Sequence, residues 1–264
     1  MGRLTARLGA RALALSGGID RGYRWFDRLR SELVAAWASP DMLDRFNEIA
    51  YGGEPRYQPE SGVFREYLFP FEENAVESVF PPPPARILLG GAGGGREALA
   101  LAQRGYEVTA FEPAAPLVTQ LEHTRGDLPI EALVGAYADL PQLFPDARFD
   151  AAIFGWGSFS HLRTAAERRD ALREYGRLTD GPILVSFLAS KSGATERLQR
   201  FRRVVPRRSD RDPEDVFAMT IGLYHPVDED EVRALAADAG LEVLSLSFDA
   251  RDTNWPHALL QRRR

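Results

Sequence analysis

The chain has 264 residues, 44% of them hydrophobic and 27% charged, which is length for one large or two small globular units around a sizeable core. Its net charge of -5 carries no electrostatic footprint for nucleic acid, and no apolar run approaches the ~20 residues of a membrane span. The absence of cysteine removes disulfides, thiolate nucleophiles and zinc–thiolate sites, and four histidines give no sign of another metal site.

In chain order, the first fifteen residues are basic and acid-poor, in keeping with a targeting segment or an amphipathic helix of a cytoplasmic protein. Tyr23, Phe26, Leu29, Leu33 and Trp37 recur at helical spacing and predict a helix with that stripe turned inward. Pro40 is expected to end it, and Asp41 to cap a second helix carrying Leu43, Phe46 and Ile49. Residues 52–62 read as a polar loop, followed by a short helix with Val76, Val79 and Phe80 inward. Four prolines, Pro81 to Pro84, make a stiff spacer. Residues 1–84 are therefore expected to form a helical N-terminal lid segment, and residues 85–264 an α/β core.

The most informative stretch runs from Arg86 to Glu112. Arg86 to Leu89 is a short apolar strand that enters Gly90, Gly91, Ala92, Gly93, Gly94 and Gly95. Glu97 to Gln103 consists of strong helix formers and is stopped by Gly105, and Tyr106 to Phe111 is β-branched and aromatic. Such a turn lets a ligand press on the backbone at a helix N-terminus. A carboxylate after the next strand, Glu112, suits the paired hydroxyls of a ribose. Strands then alternate with helices: strands at 131–135, 149–154 and 182–187, and a helical face from Leu172, Tyr175 and Leu178. Asp228 and Glu231 form a capping-box pattern, and strands at 241–248 and 257–261 close the chain. The alternation predicts a Rossmann-like, mostly parallel seven-stranded sheet with helices on both faces. Residues 191–222 interrupt it as an insertion.

The glycines follow G-x-G-x-G at Gly91, Gly93 and Gly95. A dinucleotide fingerprint would need a third glycine where Arg96 stands. With Glu112 in register, the stretch resembles the class I S-adenosylmethionine-dependent methyltransferases, and the order of elements is similar to that family from Ala85 to Gln261. The resemblance implies S-adenosylmethionine as cofactor and a methyl acceptor that is a small molecule, a natural-product intermediate or a peptide. It implies that Gly91, Ala92, Gly93 and Gly95 underlie the methionine portion and ribose, with Glu112 on the ribose hydroxyls and Pro113 beside the adenine. Ala136, Tyr137 and Asp139 match the adenine-edge loop, the Tyr137 backbone N–H or the Asp139 side chain facing the ring; Gly155 and Trp156 match the methionine side. Two positions depart from the pattern. Leu89 stands where the family usually has an acid that helps hold the cofactor amine, and Ala136 where it commonly has an acid reading the adenine amino group.

On the acceptor side, His161 is the one imidazole after the fourth strand and a candidate base, or else the cap of the following helix. Tyr224 and His225 match a substrate-facing loop, with His225 a second candidate base. Phe69, Phe71, Glu72 and Glu73 fall on the lid segment, as packing or as recognition. The arginines of the insertion (197, 200, 202, 203, 207, 208 and 211) form either a solvated face or a contact for an anionic acceptor. Two rivals remain open here: a nicotinamide-dependent oxidoreductase and a non-catalytic cofactor-binding protein on the same fold.

Overall fold

Ile87, Leu88 and Leu89 set the layering. Successive side chains of a strand face opposite ways, and Ile87 and Leu89 enter one apolar cluster while Leu88 enters another. With both faces buried, the strand reads as a continuous apolar run, as central parallel strands do. The structure, a computed structural model, describes residues 22, 23, 25–52, 68–189, 204, 206, 208, 212, 214–249 and 255–263.

The strands are β1 (Arg86–Gly90), β2 (Glu107–Glu112), β3 (Ile130–Val134), β4 (Ala151–Phe154), β5 (Ile183–Ser186), β6 (Val216–Ala218), β7 (Gly222–Tyr224), β8 (Leu241–Ser247) and β9 (His257–Arg262). Seven form one sheet in the order β3-β2-β1-β4-β5-β9-β8, while β6 and β7 pair separately as a hairpin. β1 to β5 run parallel, and β9 and β8 close the sheet antiparallel. This is the Rossmann-like architecture that the alternation predicts. The order reverses between β1 and β4, and a crevice at that point is where open α/β sheets bind ligands.

The longer helices among the described residues are α1 (25–37), α2 (Pro40–Gly52), α3 (Pro70–Ser78), α4 (Arg96–Gln103), α5 (Ala115–Thr124), α6 (Ala165–Leu178) and α7 (Glu229–Asp238). α3 and α4 cover the Ile87 side of the sheet, and α6 and α7 the Leu88 side. The start of α6 is closed by a reciprocal cap: Thr164 Oγ1 accepts from Glu167 N–H (3.1 Å), and Glu167 Oε2 accepts from Thr164 N–H (3.2 Å). Asp228 caps α7 as expected, but Glu231 does not reach back to complete the box, because its carboxylate is taken by His225 and Arg168.

The N-terminal half departs from expectation in three respects. Tyr23, Phe26 and Trp37 are exposed, and α1 packs instead through Ala35 and its neighbours. Pro206 and Arg208 lie against it, with Arg208 N–H donating to Ala36 O and Pro206 O accepting from Trp37 Nε1. So close an approach favours small side chains. Pro40 opens α2 rather than only ending α1, which is the helical position where its missing N–H costs nothing. Third, the prolines do not separate a lid from the core. Phe69, Phe71, Val76 and Phe80 lie in the same cluster as Ile87 and Leu89, so α3 belongs to the sheet's own packing. Val79 is exposed. What stands apart is a small third cluster, in which Ala35, Ala38 and Leu43 meet Phe217 and Leu223 of the β6–β7 hairpin. The first fifteen residues, residues 53–62 and the insertion arginines other than Arg208 lie outside the described residues.

Candidate active site

β1 ends at Gly90, and the chain turns through Gly91 to Gly95 before α4 begins. Gly91, Gly93 and Gly95 have φ of +66°, +55° and +96°, a region that residues with a Cβ rarely enter. The turn is stitched to the end of β2, since Gly91 and Ala92 N–H both donate to Phe111 O. The next residue, Glu112, continues the brace: Oε2 accepts from Gly93 N–H (3.0 Å) and Oε1 from Ala114 N–H (3.1 Å). Burial pushes its carboxyl above the usual range, while those two N–H groups pull it down. A Cβ on Gly91 would lie 2.5 Å from Ser158 Cβ, and one on Gly155 would lie 2.5 Å from Gly91 O. These glycines let β4 exit directly against the turn.

A cavity of about 800 Å³ opens here, over the carboxyl ends of β1, β2 and β4. Gly91, Ala92, Gly93, Glu112 and Pro113 line one side of it, and Ala136 and Tyr137 border it next to them. Trp156 and His161 line it further on, towards the hairpin. Of the residues named as cofactor contacts or candidate bases, four do not border it. Gly95 faces Leu121 of α5, and Gly155 shapes the turn from below. Asp139 spends its carboxylate on Ala136 N–H (2.9 Å), capping its own short turn. His225 is sealed behind the wall.

The two histidines differ sharply. His161 Nδ1 lies 3.0 Å from Leu223 O, and burial lowers its pKa, partly offset by that carbonyl. His225 has Asp215 Oδ1 at 3.0 Å from Nδ1 and Glu231 Oε2 at 2.9 Å from Nε2. Burial opposes its charge, but the bonds to Asp215 and Glu231 outweigh it and hold the imidazole up at about 9. With both nitrogens on carboxylates and no face on the cavity, His225 is a structural clamp in this fold. It ties the hairpin to α7, and through Glu231 to Arg168 at 2.8 Å.

Sequence reasoning missed three features of the cavity wall. Tyr137 turns its ring inward, stacked on Phe154 with centroids 5.0 Å apart and its hydroxyl 2.7 Å from Ser158 Oγ. Arg96, the residue that breaks the dinucleotide pattern, pairs with Glu72 through two bonds of 2.7 Å and with Glu97 at 2.8 Å, and it lies over the Phe69 ring. Asn47 of α2 borders the cavity beside Gly222, with its Oδ1 buried and unpartnered. The adjacent Arg96 and Glu97 were a visible signal for part of the second feature; no local pattern announced the other two.

The family described as "methyltransferase domain" matches residues 88–181, which span β1, the glycine turn, β2, β3, β4 and α6. Over that stretch the chain is similar to the methyltransferase domain family, in agreement with the resemblance carried by the glycine turn and Glu112. Solved methyltransferases share the fold. One is an S-adenosylmethionine-dependent methyltransferase of Methanosarcina mazei (18% identity, TM-score 0.55, covering 73% of this chain and 95% of that one). Another is the 1,6-didemethyltoxoflavin-N1-methyltransferase of Burkholderia thailandensis, bound to 1,6-didemethyltoxoflavin and S-adenosylhomocysteine (18%, 0.57, 85% and 89%). A third is the CcbJ methyltransferase of Streptomyces caelestis (16%, 0.52, 90% and 97%). Among the curated proteins no sequence matches. Among the described residues no helix is long and apolar enough to cross a membrane, and no group of side chains is arranged to hold a metal ion.

Proposed function

We propose that the chain methylates a small, largely apolar molecule at an O–H or N–H group, using S-adenosylmethionine. The observation that carries this is the continuity of one cavity from the glycine turn, past Trp156, to His161 and the hairpin. The residues present fit the cofactor: a side-chain-free turn, a braced carboxylate on the next strand, and an adjacent wall from Pro113 and Ala136. In this reading Glu112 accepts the ribose hydroxyls, Gly91 to Gly93 pass under the ribose and methionine portion, and the Tyr137 backbone borders the adenine edge. The bound cofactor supplies a methyl group on a positively charged sulfur, already a good leaving group, so the protein's task is alignment and exclusion of water.

The acceptor then lies under the roof made by α2 and the β6–β7 hairpin. Leu43, Leu162 and Leu223 give that end of the cavity an apolar wall, beside which His161, Asn47 and Arg163 are polar. A carbonyl only accepts hydrogen bonds, so Nδ1 of His161 carries a proton towards Leu223 O, and Nε2 is the basic nitrogen. His161 takes the proton of the acceptor as the methyl arrives. An acceptor of this kind is supported by the toxoflavin-precursor enzyme of Burkholderia, whose substrate is a small molecule methylated at N1.

Methyl-labelled S-adenosylmethionine offered with small phenols, amines and peptides tests the reading. Label should enter the small aromatic acceptors. Gly222→Ala adds a Cβ 2.3 Å from Asn47 Oδ1 at a φ of +84°, and so should disturb the roof alone. Acceptor KM is expected to rise about tenfold while S-adenosylhomocysteine affinity stays within about twofold. Label confined to peptides, or equal loss of acceptor and cofactor binding in Gly222→Ala, would sink it.

A further inference from the structure

We propose that Glu97 holds the α-ammonium group of the cofactor, supplying from the first turn of α4 the carboxylate that β1 lacks. The inference rests on the S-adenosylmethionine reading above. Leu89, at the end of β1, is fully buried in the apolar core and offers nothing to a cation. Glu97 is 3% exposed, yet it borders the cavity beside the glycine turn. Its Oε1 accepts from Arg96 Nη2 (2.8 Å) and from Trp156 N–H (3.1 Å), so the carboxylate is pinned across the crevice between β1 and β4. Its Oε2 has no partner among the described residues.

Charge counting says what the free oxygen is for. Glu72, Arg96 and Glu97 are all buried, and among the described residues two carboxylates against one guanidinium leave a surplus negative charge. A buried charge without a counter-ion is costly. Burial pushes the Glu72 carboxyl up to about 7 despite Arg96, and the neighbouring Glu97 charge adds to the rise. Glu72 lies behind Arg96 and does not border the cavity, so Glu97 is the member of the cluster placed to meet a cation there.

The cofactor has two positive centres, and the chemistry selects between them. A carboxylate on the sulfonium would stabilise the charge that must disperse as the methyl leaves, and so would favour the ground state. A carboxylate on the α-ammonium holds a charge that does not change during transfer. Glu97 therefore anchors the methionine end without opposing the reaction.

Calorimetry with two uncharged-sulfur probes tests this. S-Adenosylhomocysteine carries the α-ammonium, whereas 5′-methylthioadenosine lacks the whole amino-acid portion. Glu97→Gln should weaken S-adenosylhomocysteine about 10- to 100-fold and leave methylthioadenosine within about twofold. Glu97→Asp, which keeps the charge, should recover part of the loss, and Glu112→Ala should weaken both probes. Equal losses of the two probes in Glu97→Gln would show a structural role and overturn the proposal, as would no loss at all. If the unaltered protein binds neither probe, the cofactor reading itself falls.

Discussion

His161 and Leu223 are joined by a 3.0 Å contact between the imidazole Nδ1 and the strand carbonyl, which couples the segment after β4 to the roof hairpin. That contact orients the ring and keeps a proton on Nδ1, while burial favours the neutral form.

If His161 takes the acceptor's proton, the neutral ring is the active form. Because burial lowers its pKa from 6.5, activity should hold as pH falls to that value and be lost only below it. His161→Asn should slow transfer ~10²–10⁴-fold and remove that acid limb, with S-adenosylhomocysteine affinity intact. A variant that keeps both rate and pH profile would make the ring structural.

Glu112 serves the turn as well as the ligand, since its two oxygens hold Gly93 and Ala114 N–H. Glu112→Ala should cost about 2–4 kcal/mol of S-adenosylhomocysteine binding, through lost ribose bonds and a slackened turn. Unchanged affinity by calorimetry would remove Glu112 from the site.

His225 makes stability depend on pH. Its folded pKa, about 9, lies above the ordinary 6.5, so the folded state holds the proton more tightly than the unfolded chain. The stabilisation is complete below pH 6.5 and fades as pH rises through 9, in total on the order of 2–3 kcal/mol. The charged groups facing the ring are Asp215 and Glu231, with Arg168 behind Glu231. Urea unfolding at pH 6 and pH 9.5 should show the loss, and His225→Gln should flatten it. A wild-type midpoint that does not move between the two would refute the clamp.

The cofactor half was legible because its signals are local. Strand, glycine turn, helix and Glu112 lie within 27 consecutive residues, from Arg86 to Glu112, and each follows from backbone chemistry. The acceptor half comes from α2, the turn at Ser158 to His161 and the β6–β7 hairpin, which tertiary packing alone brings together. Helical periodicity found α1 but not its buried face, because exposed Tyr23 and Phe26 look as apolar in sequence as buried residues do. His225 could not be told from His161 by sequence, since what separates them is the pair of carboxylates from residues 215 and 231.

Trp156 stands between the Phe69 and Trp255 rings, 5.1 Å from each, with its backbone held by Glu97 and its side against the cavity. Of the four tryptophans, Trp25 and Trp37 face solvent, and their emission should be red-shifted and indifferent to ligand. The Trp156–Trp255 pair sits in a drier setting, close enough to exchange excitation. Occupancy of the crevice should therefore register as a change in the blue edge of the protein's intrinsic fluorescence, giving an optical readout without a label.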